Sequence, residues 1–514
     1  MIKKDFISSG GLLMIFMLAA KGIGALYRIP LTNIVGAEGM GLYQMIYPFY
    51  ALLLTVASGG LPTAISKVVA SKKNEKNQIQ VLKVCVIALM IVGGVASAFV
   101  LIFRYYIASV QGNVKASLAY AGISPAVLFV CIISCIRGYF QGKKNMLPSG
   151  ISQIIEQVFK LVVGLSFATI FVKKGVEYGV LGALLGVSVS ELFALAFLVI
   201  CFAFSKKSYN RRTNIQLALV EAGEFVIPSV YVEEKGVEVM KSIFRIAIPV
   251  TLSSLILPLT QVIDSILVVN LLSGKVGVET ATSMFGLING PIGSLINMPT
   301  VLTMSIGVSL LPKIASSQGE KKIEYARTSI KITLLIALPC TLLFAVFPKE
   351  ILSILYSRGL STGQIELGAK LLRIGSLSVT YIGLIQVATS CLQGVDQAHL
   401  PAISLILGAI IKIMLTLVLI KTMYITGVMI ASVSCYMVTA LINFLYLKKH
   451  FPIKGNIKWL LCIPLALSAF LLMKILGVKI AFRYSEIVYI ATAILMYVVA
   501  IFGLKLIKIK ELFG

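Results

Sequence analysis

Lys21 and Arg28 stand seven residues apart in the apolar segment Ile7 to Ile29. On an α-helix that spacing puts both side chains on nearly the same face, about 10 Å apart along the axis. A cation inside a bilayer is costly and normally faces a bundle interior or a wet cavity, so the pair predicts a positively charged chamber suited to an anionic cargo. The plainer alternative has Arg28 snorkelling to the interface and Lys21 as a tolerated polar residue. Glu156 and Lys160, four apart in another apolar segment, fall in the favourable Glu-before-Lys order of a helical pair. They either neutralise each other inside the bundle or line the cavity and re-pair as cargo comes and goes. Asp264 and Glu191 are isolated carboxylates in further apolar segments. Either could bind a proton or a sodium ion, and either could equally be a satisfied hydrogen-bonding group, with Ser253 and Thr260 near Asp264.

Other chemistry lacks its residues. No nucleophile accompanies a base, and no phosphate-binding or dinucleotide loop occurs. His399 and His450, the only histidines, fall in polar connectors. All eight cysteines lie in apolar stretches, and Cys131 and Cys135 have no partner at metal-ligand spacing, so packing is their expected role. The chain therefore reads as a non-enzyme without an organic cofactor or metal, with either H+ or Na+ as a coupling ion.

The elements that must carry these residues are membrane helices. The chain has 514 residues, 58% hydrophobic and only 13% charged. Its mean hydropathy is +0.97, and no block of polar surface suits a soluble domain. Segments long enough to span a bilayer centre on 7–29, 41–62, 81–103, 119–137, 147–171, 178–204, 243–271, 281–310, 328–347, 371–392, 400–420, 424–447, 458–478 and 486–507. The first is read as a retained helix and not as a cleaved signal, because the apolar run continues past Lys21. With the N-terminus inside, the cytoplasmic connectors hold about twice as many Lys and Arg as those opposite, which places both termini in the cytoplasm. The net charge of +26 is thus explained by orientation and anionic lipid, without nucleic acid. Arg137 and Arg245, near cytoplasmic helix ends, read as interface anchors.

An internal repeat organises the spans. Gln141-Gly142 follows the fourth span and Gln393-Gly394 the tenth; equal distances then lead to Lys160 and Lys412, with Leu147-Pro148 and Leu400-Pro401 between. Corresponding connectors fall on one side of the membrane, so the repeats are parallel. The expected fold is an all-α polytopic membrane protein of about fourteen spans, with two pseudo-symmetric six-helix lobes plus two C-terminal helices. Its divisions are an N-lobe over 1–204, a cytoplasmic linker over 205–242 with an interfacial helix, a C-lobe over 243–447, and the last two spans over 448–514.

The runs Tyr27-Arg28-Ile29-Pro30-Leu31, Val35-Gly36-Ala37-Glu38-Gly39-Met40-Gly41-Leu42-Tyr43, Gly59-Gly60-Leu61-Pro62 and Arg137-Gly138-Tyr139-Phe140-Gln141-Gly142 resemble the stage V sporulation protein B branch of the polysaccharide exporters. Gln153-Ile154-Ile155-Glu156-Gln157 continues the likeness, which extends over nearly the whole chain. This branch belongs to the multidrug/oligosaccharidyl-lipid/polysaccharide exporter superfamily, alongside lipid II flippases and multidrug antiporters. The resemblance implies a two-lobed transporter in the bacterial cytoplasmic membrane, working by alternating access on a lipid-linked saccharide or pyrophosphate precursor. Membrane lipids, and cell-wall synthesis enzymes in sporulation or peptidoglycan synthesis, are the partners it implies. Lipid II flippases line their cavity with arginines of the first, second and eighth spans, whereas 41–62 and 281–310 here contain none. Two rivals remain at this stage: a cation-coupled multidrug antiporter on the same fold, and a non-transporting cell-wall scaffold.

Overall fold

Apolar runs without helix breakers become long helices, and glycine or proline marks where they bend or stop. The computed structural model describes residues 10–58, 60–72, 74–221, 236–451, 462–477, 491–497 and 499. Its elements are α1 (Gly10–Ser58), α2 (Leu61–Ser71), α3 (Glu75–Ile102), α4 (Arg104–Val110), α5 (Ala116–Gly142) and α6 (Leu147–Phe171). They continue with α7 (Val176–Glu221), α8 (Gly236–Ser254), α9 (Ile256–Val276), α10 (Val278–Leu287), a π turn at Ile288–Ile292, and α11 (Gly293–Ser316). The remainder is α12 (Glu320–Val346), α13 (Pro348–Tyr356), α14 (Thr362–Gly375), α15 (Leu377–Gln393), α16 (His399–His450) and α17 (Cys462–Gly477).

Among the described residues nine helical stretches are long and apolar enough to cross a membrane, or ten with the bent pair α14–α15 taken as one span. Expected spans one to twelve fall on these stretches, except that span seven (243–271) is divided between α8 and α9 and only its part from Pro258 lies on one. The first two share α1, which bends at Gly36, where φ is +68° and a side chain would be strained. The eleventh and twelfth share α16, which bends at Tyr424, a non-glycine residue at φ +51°. Span thirteen falls on α17, and most of span fourteen lies outside the described residues.

The chain forms two compact units, one of Met1–Tyr27 and Leu42–Ile266, the other of Arg28–Gly41 and Leu267–Gly514. This differs from a boundary inside 205–242. In the first unit, the backbone N–H of Gly60 donates to Thr251 Oγ1 at 3.1 Å, and Gln111 Nε2 donates to Ser265 Oγ at 3.2 Å, tying α8 and the start of α9 to the N-terminal helices. Its apolar core joins α2, α3, α5, α7 and α8 through Ile65, Leu82, Cys131, Leu198 and Ile243. In the second unit, 28–41 is held by backbone-close glycine contacts of Gly41 with Thr282, Gly286 with Ala37, and Gly359 with Thr32. Asn33 Nδ2 adds a hydrogen bond to the Leu355 carbonyl at 2.7 Å. A second core there gathers Leu310, Ile314, Ala326, Val387 and Leu447.

The expected surface helix over 205–242 takes another form. α7 carries the sixth span on without a break to Glu221, because no glycine or proline interrupts the chain between Gly186 and Gly223. Residues 222–235 lie outside the described residues.

Candidate functional site

The first unit holds a charged cluster deep in its helices. Glu156 lies nine residues into α6, about 14 Å along its axis, and Lys160 thirteen residues in, about 20 Å, against a hydrocarbon core of about 30 Å. Three contacts set α6 beside α1: Gly150 against Phe16, Gly24 against Gln157, and Gly164 against Tyr27. Their order is the same along both helices, so α1 and α6 run parallel. Lys21 therefore falls at the depth of residues 154–156. Its side chain is exposed, a state that a cavity-facing and a lipid-facing position share.

Glu156 does not pair with Lys160. Its Oε2 faces Arg137 Nη2 at 3.2 Å, and its Oε1 accepts from Gln157 Nε2 at 2.9 Å. Arg137 also donates from Nε to Ser152 Oγ at 2.9 Å. The Arg137 side chain thus turns into the unit from α5, where the sequence pattern had made it an interface anchor; Arg245 is exposed, as that role requires. Lys160 is buried and donates to Gln157 Oε1 at 3.1 Å. Its ammonium lies 5.4 Å from the ring centre of Tyr27 and 6.0 Å from that of Tyr47, within cation–π range. Gln157 is the hinge of the arrangement, receiving from Lys160 and giving to Glu156.

Glu191, on α7, completes the cluster. It is 4% exposed and within electrostatic reach of Glu156, Arg137 and Lys160. Its Oε2 has no hydrogen-bond partner. Tyr50 on α1, 3% exposed, lies within the same reach, and its hydroxyl is also unpartnered. Tyr43 and Tyr47 stack at 5.6 Å and Tyr50 follows at 6.1 Å, so three tyrosines of α1 form a column beside the charges.

The other predicted residues lie elsewhere. Arg28 is half-buried in the second unit, whereas Lys21 belongs to the first. Asp264 is buried on α9 in the first unit. Thr260 turns its hydroxyl to the Ile256 carbonyl at 2.8 Å, and the side chain of Ser253 lies outside the described residues. Sequence reasoning marked Glu156, Lys160 and Glu191 by type, and missed Arg137, Gln157 and Tyr50. Arg137 carried a signal in hindsight, since a carboxylate inside the bilayer needs a cation and Arg137 lies within the fourth span. Tyr50 and Gln157 carried none. Among the described residues no group of three or more His, Cys, Asp or Glu is arranged to hold a metal ion.

Residues 7–318 match the polysaccharide biosynthesis protein family. The chain belongs to that family. A second family, MatE, matches residues 249–418. Among curated relatives, stage V sporulation protein B of Bacillus subtilis (strain 168) is 26% identical, covering 100% of this chain and 98% of its own. Lipid II flippase MurJ of the same organism is 27% identical over 83% of this chain and 80% of its own. Of solved structures, the inward closed conformation of lipid II flippase MurJ superposes with a TM-score of 0.72 at 15% identity, covering 97% of this chain and 100% of that one. An inward-facing multidrug resistance MATE family transporter gives 0.61 at 17% identity, over 84% and 94%. At these identities the structures establish the shared fold. This polysaccharide biosynthesis family member is an all-α, multi-pass membrane transporter of the multidrug/oligosaccharidyl-lipid/polysaccharide exporter superfamily, and not an enzyme.

Proposed function

We propose that this protein is a flippase that carries an undecaprenyl-linked cell-wall or polysaccharide precursor, similar to lipid II, from the inner to the outer leaflet of the cytoplasmic membrane. The observation that carries the reading is Lys21, an exposed cation about 16 Å into α1, with no other charged residue between 10 and 27. Near-full-length relatedness to stage V sporulation protein B and the fold shared with lipid II flippase MurJ support it. Lys21 and Arg28 attract the pyrophosphate and anionic sugar, while the lipid tail stays in or beside the bilayer. Glu156 and Lys160 on α6 form a reserve of charge: Lys160 is buried here and reaches cargo only when it leaves Gln157. Alternating access loads cargo on the cytoplasmic side and releases it outside, biased by H+ or Na+ at Glu191 or Asp264. Both termini are cytoplasmic, and cell-wall synthesis enzymes supply or take up the precursor.

The test is reconstitution into liposomes with a fluorescent lipid-linked precursor. The native protein is expected to flip it, and Lys21→Ala/Arg28→Ala to lose at least about tenfold in rate, the equivalent of about 1.4 kcal/mol. Equal rates for the two proteins would remove the charged chamber. The MatE match over 249–418 favours one second reading, a cation-coupled multidrug antiporter. It requires cationic dyes to be exported by the native protein in the same vesicles.

A further inference from the structure

Glu191 and Tyr50 present two buried polar atoms without partners, facing one charged cluster. An unsatisfied buried oxygen on a carboxylate costs several kcal/mol, and a hydroxyl about 1–3 kcal/mol, and neutralising the carboxylate removes the larger part of that cost. Four elements bring ionisable groups to this point: Arg137 from α5, Glu156 and Lys160 from α6, Glu191 from α7, and Tyr50 from α1. With both carboxylates and both cations ionised the cluster is neutral. With one proton added to Glu191 it carries a single positive charge.

We infer that Glu191 is a proton-binding site, and that it takes a proton in preference to sodium. The inference rests on the transporter reading above and names its coupling ion. A hard metal cation seeks several oxygen ligands in a shell of its own. Here the acid oxygens share their surroundings with the guanidinium of Arg137 and the ammonium of Lys160, which repel a metal cation and leave it two carboxylates at most, one already engaged by Arg137 and Gln157. A proton needs one oxygen. On protonation the Glu191 carboxylate becomes a neutral carboxylic acid, which is far cheaper to bury than the ion. No other bond is made or broken. The gain of one proton leaves one cation of the Arg137–Lys160 pair without a counter-charge. Arg137 is held by Glu156 and Ser152, so the uncompensated charge is that of Lys160, which meets an anionic headgroup once it leaves Gln157.

The proton is read directly by difference infrared spectroscopy of the purified full-length protein across a pH titration. The expected result is a protonated-carboxyl C=O band, about one group per molecule, that disappears on deprotonation and is missing in Glu191→Gln. Tyr50→Phe is expected to keep the band and move both its frequency and its titration midpoint. A band identical in native protein and Glu191→Gln would overturn the proposal. So would a band abolished in native protein by sodium at constant ionic strength and pH, because sodium would then hold the site. Glu191→Gln is isosteric; thermal unfolding checks its folding, and Tyr50→Phe reads the same site if it fails. The titration needs no cargo. Failure of the native protein to flip any precursor therefore overturns the flippase reading while leaving the proton site standing.

Discussion

Arg137 is the residue on which the charged cluster depends. A guanidinium and an amide together satisfy the Glu156 carboxylate inside the bilayer. Arg137→Leu removes the counter-charge and is expected to cost about 3 kcal/mol, the low end for breaking a buried pair, since both side chains keep some exposure. Arg137→Leu/Glu156→Leu should recover most of that loss, because a packed apolar pair replaces a paired charge at little cost. Thermal unfolding of the detergent-solubilised proteins measures both, and a double variant no better than the single would mean that Arg137 acts through packing alone. The sequence made Glu156, Lys160 and Glu191 visible because charges stand out in apolar runs. It hid their partners: an ion pair between residues nineteen apart on two helices leaves no periodic trace. The i, i+4 rule pointed to Lys160, and Gln157 intervenes between the two.

Among the elements, hydropathy marked the spans well and their joints poorly. Spans one and two, and eleven and twelve, run through α1 and α16 with only a bend, at Gly36 and Tyr424. A glycine can be suspected of such a bend from sequence, whereas a tyrosine at positive φ cannot. The first part of the linker expected over 205–242 contained the same ambiguity, since residues 205–222 hold no glycine or proline and a polar stretch without breakers suits both a surface helix and an extended span. Close packing is equally invisible until helices are paired. On α7, a Cβ at Gly186 would collide with the backbone of Gly164 on α6, whereas one at Gly94 on α3 would meet nothing within 4 Å. Both are helix-interior glycines, yet Gly186→Ala is expected to destabilise by about 1–3 kcal/mol through overpacking. Gly94→Ala is expected to be neutral or to stabilise by about 0.5–1 kcal/mol through helix propensity. Unfolding midpoints for the two variants decide it; equal shifts would show that the α6–α7 contact yields freely.

Orientation belongs to the whole molecule, and the transport direction hangs on it. Inward opening loads a precursor made in the cytoplasm only if the basic connectors are cytoplasmic. α6 offers a clean test, because its 25 residues span about 38 Å and exposed lysines flank both ends, Lys144 before it and Lys174 after it. Because α1 runs parallel to α6, the same test also fixes on which side of the membrane α1 begins. In a cysteine-free background, Lys174→Cys is expected to react with a membrane-impermeant maleimide in intact cells. Lys144→Cys is expected to react only after permeabilisation. The reverse pattern would invert the molecule, put the N-terminus outside, and turn the proposed export of an anionic lipid precursor into uptake. Labelling of both in intact cells would mean that α6 does not separate the two compartments, and the depth assigned to Glu156, Lys160 and Lys21 would fall with it. The twofold excess of Lys and Arg on one set of connectors, spread over both halves of the chain, weighs against either outcome.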